Sequence, residues 1–199
     1  MREEATLVVQ AQHGSEEAFT ELVEAYQTHV YNMCYRMLGE AESAEDAAQE
    51  TFLRAFQHLH RYDHSRPFGT WLLSIAAHYC IDRLRRRRFS FVSMDETEDA
   101  SGMELPDTAA PSPEAEAVRH EQREQMQGLL QHLSSVDRAA IVLRYWHDYS
   151  EAEIADALHL TVSAVKSRLH RARRELGYLW QEEGVQRNHE RRPHESPAF

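Results

Sequence analysis

The segment SEAEIADALHLTVSAVKSRLHRARR, residues 150–174, decides how the chain is read. Ser150 with Glu153 three positions on forms a capping box, in which hydroxyl and carboxylate each satisfy a backbone donor left open by a new helix. That helix has room for barely two turns before Thr161 caps the next one. A short helix, a tight turn and a longer basic helix make a helix-turn-helix. Advancing 100° per residue from Val165 brings Leu169, Ala172 and Leu176 within about 40° of one direction, which is the packed stripe. Ser163, Ser167, His170, Arg171 and Arg174 lie opposite. Lys166 and Arg173 stand on one shoulder and Arg168 on the other. Short polar and arginine side chains at the outward centre suit base edges in the major groove, and flanking cations suit phosphates. Five of the nine residues from Lys166 to Arg174 are basic and none is acidic, unlike an ordinary solvated helix face.

Upstream the pattern stays helical. Helical signal runs from Ala115 to Leu133 and again over Val136 to Trp146, so residues 118–183 form one small unit. Further back, Ser15 followed by Glu16 and Glu17 caps a helix carrying Phe19, Leu22, Val23, Tyr26 and Val30, which Gly39 stops. Ser43 and Asp46 read as a second capping box, opening a helix with Ala48, Phe52, Ala55, Phe56 and Leu59 on its apolar face. Pro67 starts a third helix with Phe68, Leu72, Ile75 and Tyr79 on one stripe and the arginine run Arg83 to Arg88 at its end. No strand-like alternation is sustained. The expectation is an all-α protein of two small helical domains, residues 1–88 and 118–183.

Between them, residues 89–117 carry eight acids and no Lys or Arg, together with Pro106, Pro111 and Pro113. This composition describes an extended, solvated, flexible linker. Residues 184–199 read as a frayed tail. The formal net charge of −11 is therefore misleading as a guide to partners, because most of it sits in the linker while the basic residues cluster at Arg83–Arg88 and Lys166–Arg174.

Composition excludes several classes. Hydrophobic residues at 42% and charged residues at 28% fit a globular chain. The longest apolar run, Ala139 to Leu143, is far short of a bilayer span, and Met1-Arg2-Glu3-Glu4 does not open a secretory signal. The expectation is a soluble, cytoplasmic protein without membrane insertion. Cys34 and Cys80 lie in apolar helical surroundings and read as buried thiols. His58, His60 and His64 read as scattered surface histidines, and no metal or cofactor is implied. No Gly-rich phosphate loop or nucleophile motif is present, so enzymatic activity is not expected.

At this point the residues resemble a known family. Glu153-Ile-Ala, Leu158 and Val165-Lys-Ser-Arg-Leu-His-Arg-Ala-Arg173 resemble region 4 of bacterial extracytoplasmic-function (group 4) RNA polymerase sigma factors. Ser43-Ala-Glu-Asp-Ala-Ala-Gln-Glu-Thr-Phe-Leu-Arg54 resembles their region 2.2. Phe68-Gly-Thr-Trp-Leu-Leu-Ser-Ile-Ala76 and Ile81-Asp-Arg-Leu-Arg-Arg-Arg-Arg88 resemble regions 2.3 and 2.4. The chain departs from the family's frequent residues at Ser43, at Ala77-His78, at His159 in the turn and at Ala164. His159 is the turn position where the family often has Gly, and His tolerates a left-handed backbone better than most residues.

The resemblance implies a promoter-recognition subunit that binds core RNA polymerase and promoter DNA, serving a stress or envelope-signal regulon under an anti-sigma factor. It implies core-polymerase binding by Glu45, Asp46, Gln49 and Glu50. It places His78, Tyr79, Arg83, Arg85, Arg86, Arg87 and Arg88 at the minus-ten element, where unpaired bases want an aromatic or shape-matched pocket and the loop Arg61–Phe68 lies nearby. It places Ser163, Lys166, Ser167, Arg168, His170, Arg171, Arg173 and Arg174 at the minus-thirty-five element. Trp71 reads as core packing. Two rivals compete. A stand-alone helix-turn-helix repressor or activator leaves the N-terminal motifs without a job, and a pure protein-interaction module leaves the outward arginines unexplained.

Overall fold

A computed structural model describes the backbone of residues 3–91 and 113–190, and the side chains of residues 3–87 and 122–182. The described residues form α1 (Glu4–Gln12), α2 (Glu16–Leu38), α3 (Ala41–His58), α4 (Phe68–Phe91), α5 (Pro113–His132), α6 (Ser135–Trp146), α7 (Glu151–Ala157) and α8 (Val162–Glu190), with a single 3-10 turn, Leu59–Arg61, after α3. No strand occurs among them. The architecture is all-α, with α1–α4 in one cluster and α5–α8 in the other. No helix among the described residues is long and apolar enough to cross a membrane.

Local chemistry accounts for several of the helix ends. Ser15 caps α2 by accepting from the Ala18 amide at 3.2 Å, and Gly39 ends it at φ 83°, a left-handed backbone that glycine adopts without steric cost. The Ser150–Glu153 box is present in both directions at the start of α7, and the Thr161 hydroxyl accepts from the Ala164 amide at α8. His159 occupies the turn between them at φ 53°, the left-handed role assigned to it from its place in the motif.

Other ends differ from expectation. The helix expected from Ser43 begins at Ala41 with Glu40 as N-cap. Ser43 is buried inside its first turn and donates to Glu40 Oε2 at 2.7 Å, and the N-cap Glu40 makes no side-chain cap to the backbone, so the expected capping box does not form. Phe56, expected on the apolar face, is 47% exposed and meets Phe19 edge-on with centroids 4.9 Å apart. Helix α4 continues to Phe91 and α5 begins at Pro113, so helix extends into both ends of the stretch read as linker. The α8 backbone is helical to Glu190, beyond the point where a frayed tail was expected. The acidic residues Asp95, Glu96, Glu98, Asp99, Glu104 and Asp107, and the last nine residues, lie outside the described residues.

The core of the first cluster is built from Leu22, Val30, Met33 and Met37 of α2 against Ala44, Ala47 and Ala55 of α3 and Leu72, Ala76 and Cys80 of α4. Small residues on α3 let the helices approach closely, and each fully buried Leu or Met contributes about 1.5–3 kcal/mol. Trp71 joins Tyr62 and Phe68 in an aromatic group beside this core. In the second, Val165, Leu169 and Ala172 of α8 are buried against α6 and α7, the stripe that the angular spacing requires.

The two clusters dock. The last carbonyls of α2 are short of partners at the helix end, where only Tyr35 O accepts from the Gly39 amide, at 2.8 Å, and side chains of the second cluster supply more. Gln127 donates to Tyr35 O at 3.1 Å and Arg36 O at 3.3 Å, and the buried Arg138 guanidinium donates to Met37 O. A Cβ at Gly39 would lie 2.6 Å from Gln131 Nε2, the end of a flexible side chain that can shift, so it is the left-handed backbone angle that calls for glycine here. Arg36 stacks over Trp146 at 5.1 Å, and Arg66 pairs with Asp156 at 3.0 Å.

Candidate nucleic-acid and partner interface

Three surfaces carry the residues expected to act. The first lies on α3. Glu45, Asp46 and Gln49 are exposed, and Glu50 is half-buried in an i,i+4 pair with Arg54 at 2.7 Å. The four share one helix face because they recur at helical spacing. Leu53, at 51% exposure, and Phe56 lie further along α3 and are large apolar groups in water. The sequence pattern hides them, because Phe56 satisfies the apolar stripe and Leu53 looks incidental. Acids and an amide bordering a small apolar patch can receive a basic protein surface with an apolar centre.

The second surface follows α4, and the structure divides its residues. His78 donates from Nδ1 to Ser74 O at 2.8 Å and faces the α7–α8 turn, its ring 4.9 Å from that of His159. Tyr79 turns the other way, under the Arg54 guanidinium at 4.8 Å. Arg83 donates to Ser43 Oγ at 3.0 Å and lies 3.8 Å from Asp46, and Arg87 lies 3.9 Å from Glu40, so both lean on the start of α3. Arg85 and Arg86 are exposed. The Arg88 side chain lies outside the described residues. The neighbouring loop is firmly held. Asp63 accepts from the Ser65 amide at 2.9 Å and its hydroxyl at 2.6 Å, which holds the Asp63 carboxyl below the usual range. Gln12 of α1 donates to Leu59 O and Tyr62 O.

The third surface is the outer face of α8. Ser163, Ser167, His170, Arg171 and Arg174 are all exposed, as their angular positions require. The shoulder residues are less free. Lys166 lies 3.7 Å from Glu151, Arg173 donates to Leu169 O at 3.2 Å, and Arg168 donates to Asp137 Oδ1 at 2.8 Å. A central file of short polar groups and arginines flanked by anchored cations can lie in a groove and contact base edges and phosphates together.

No group of three or more His, Cys, Asp or Glu gathers to hold a metal among the described residues. Cys34 and Cys80 are buried and unbridged, and their mutual hydrogen bond together with burial pushes the Cys80 thiol far up. Such a thiol is a poor nucleophile.

The same division into two units appears in comparisons with known proteins. Residues 22–90 match Sigma-70 region 2, and residues 123–176 match Sigma-70, region 4. The ECF RNA polymerase sigma factor SigW of Bacillus subtilis (strain 168) is 34% identical over 172 residues, which is 85% of this chain and 92% of SigW. The ECF RNA polymerase sigma factor SigL of Mycobacterium tuberculosis (strain ATCC 25618 / H37Rv) is 36% identical over 167 residues, 83% of this chain and 90% of SigL. Among solved structures, CnrH in complex with the cytosolic domain of CnrY has a TM-score of 0.65 at 28% identity, over 89% of this chain and 96% of CnrH. Both regions are matched in order and the relatives align along most of their length, so the chain belongs to the extracytoplasmic-function family of RNA polymerase sigma factors.

Proposed function

We propose that this protein binds core RNA polymerase, directs it to a particular set of promoters and is held in check by an anti-sigma factor. The observation that carries the reading is the pairing, on one chain, of an exposed acid-and-amide face on α3 with an outward arginine file on α8. Neither a lone DNA-binding module nor a pure interaction module uses both. Residues 1–88 serve as the polymerase-binding and minus-ten unit and residues 118–183 as the minus-thirty-five unit, joined by residues 89–117.

Glu45, Asp46, Gln49 and Glu50 contact the polymerase, with Leu53 and Phe56 as its apolar centre. His78, Tyr79 and the arginines from Arg83 to Arg88 engage the minus-ten element, the arginines on phosphates and the rings on unpaired bases. Ser163, Ser167, His170, Arg171 and Arg174 face base edges of the minus-thirty-five element, with Lys166 and Arg173 on phosphates at one shoulder and Arg168 at the other, turned back onto Asp137. A regulatory partner is supported by CnrH, whose structure was solved with the cytosolic domain of CnrY bound.

The test is transcription in a purified system. Core polymerase with this protein should initiate from defined members of a genomic promoter library, and neither component should do so alone. Absence of any stimulated transcript across the library would remove the assignment.

A further inference from the structure

A carboxylate lies beneath the DNA-facing helix. Asp137 stands in the first turn of α6, after the N-cap Ser134, with its side chain only 9% exposed. Its Oδ2 accepts from the Ser134 hydroxyl at 2.8 Å, and its amide donates back to Ser134 Oγ at 3.2 Å. Its Oδ1 accepts from Arg168 Nη1 at 2.8 Å and from Arg171 Nη2 at 3.4 Å. Burial works against the charge, yet the Arg168 guanidinium and the Ser134 hydroxyl hold the carboxyl below its usual range.

The two arginines are treated unequally. Arg168 is 30% exposed and makes the short bond, whereas Arg171 is 60% exposed and makes the long one. They are three residues apart on α8, so they lie on neighbouring positions of one face. A guanidinium carries five N–H donors in a rigid fork. Arg171 therefore offers Asp137 one edge and keeps its other donors for a partner, while Arg168 is drawn toward the protein.

We propose that Asp137 is a positioning residue for minus-thirty-five recognition: it withholds Arg168 from the phosphate backbone and sets the angle from which Arg171 reads a base edge. The proposal rests on the reading that α8 enters promoter DNA. An unanchored arginine on the helix shoulder would add affinity for every sequence alike, because phosphate contacts carry no sequence information. Anchoring it lowers non-specific binding. Fixing the reading arginine in advance reduces the ordering cost of its bidentate contact. Both effects raise the ratio of specific to non-specific binding.

The experiment uses the full chain assembled with core polymerase, titrated against a promoter duplex and a random duplex over a range of salt. Asp137→Asn retains the Ser134 contact and removes the charge. It should bind random duplex more tightly and steepen the log–log salt slope by about 0.9, one added phosphate contact. A fourfold rise in salt would then cost the variant about 3.5-fold more affinity than the unsubstituted chain. Its preference for the promoter duplex should fall fivefold or more, the lower end for one lost base contact. Arg168→Ala should leave the slope unchanged. An unchanged slope and preference in Asp137→Asn would overturn the proposal, as would a slope shallower by about 0.9 in Arg168→Ala. If Asp137→Asn does not fold, Arg168→Ala decides alone. A holoenzyme with Asp137 intact whose duplex preference survives Arg171→Ala, Ser167→Ala and Arg174→Ala together would overturn the reading of α8 itself, a result distinct from the others.

Discussion

The imidazoles of His78 and His159 lie 4.9 Å apart with their planes inclined by 32°. His78 belongs to α4 and His159 to the turn of the helix-turn-helix, so the chain covers one group of its proposed minus-ten surface with its own second cluster. The Arg66–Asp156 pair closes the same seam from the loop before α4.

Replacing His159 with glycine tests this cover without straining the turn, since glycine adopts φ near 53° freely. His159→Gly removes a ring contact worth about 0.5–1.5 kcal/mol. The free protein should then bind an unpaired minus-ten strand about two- to tenfold more tightly, with little change in thermal stability. Fluorescence anisotropy with a labelled oligonucleotide reads the difference, and unchanged affinity would show that the contact covers nothing needed for binding.

On α3 the proposed polymerase contacts divide into a charged rim and an apolar centre. Asp46→Ala with Gln49→Ala should weaken core binding while the fold stays intact, since both side chains are exposed. Leu53→Ser should weaken it at least as much, because a buried apolar anchor contributes more to an interface than its rim. A loss of about 1–2 kcal/mol for Leu53→Ser, five- to thirtyfold in affinity, is expected. Titration of core polymerase checks both, and a full-strength Leu53→Ser complex would return this patch to ordinary surface.

Much of this was legible in the sequence because it is local. Ser15, Gly39, Ser150 and Thr161 act on backbone groups three or four residues away, and a linear pattern records such neighbours directly. The start of α3 misled for the same reason: Ser43 and Asp46 have box spacing, but Glu40 takes the cap position. Helix α1 has a weak pattern, with paired β-branched valines and no side-chain cap, and packing of Leu7, Val8 and Ala11 holds it. The docking of the clusters was not legible at all. Gln127 and Arg138 read as ordinary polar helix residues until Tyr35, Arg36 and Met37, some ninety to a hundred positions earlier, are seen to present their carbonyls to them.

Arg138 should be costly to replace. Its guanidinium serves Met37 O, Gln131 Oε1 at 2.6 Å and Gln131 O at 2.8 Å. Arg138→Met keeps the aliphatic bulk and leaves those acceptors unpaired, at a cost of about 3 kcal/mol. The melting temperature should fall by several degrees. A variant as stable as the unsubstituted chain would mean that water replaces the guanidinium at no cost.

Arg171 and Lys166 should fail differently. Arg171→Ala should cost about 1–3 kcal/mol at the promoter duplex and relax discrimination at one or two base pairs. Lys166→Ala should weaken binding to all sequences alike and flatten the salt dependence by about 0.9. Salt-dependent competition assays separate the two. Identical behaviour of both variants would contradict the division of the α8 face into centre and shoulder.

The last expectation concerns acid. His147 follows α6, with its ring 6.2 Å from that of His29 on α2 and 6.3 Å from that of Tyr149, and its Nε2 is buried without a hydrogen-bond partner. Burial, with a smaller contribution from His29, lowers its pKa from the ordinary 6.5 to about 4, and Asp148 only partly opposes this. Between those values the unfolded chain binds a proton that the folded chain refuses, so stability increases with pH across this window. The contribution is fully present above pH 6.5 and is lost as the pH falls toward 4, about 3 kcal/mol in all. His147→Phe fills the same space without a titrating group. Urea unfolding at about pH 7.5 and about pH 4.5 should show the unsubstituted chain losing more stability than the variant, by up to about 3 kcal/mol. The carboxylates titrate in both proteins and cancel in the comparison. Equal losses would mean that His147 takes up its proton as readily in the folded chain as in the unfolded one, and that the seam against His29 admits water.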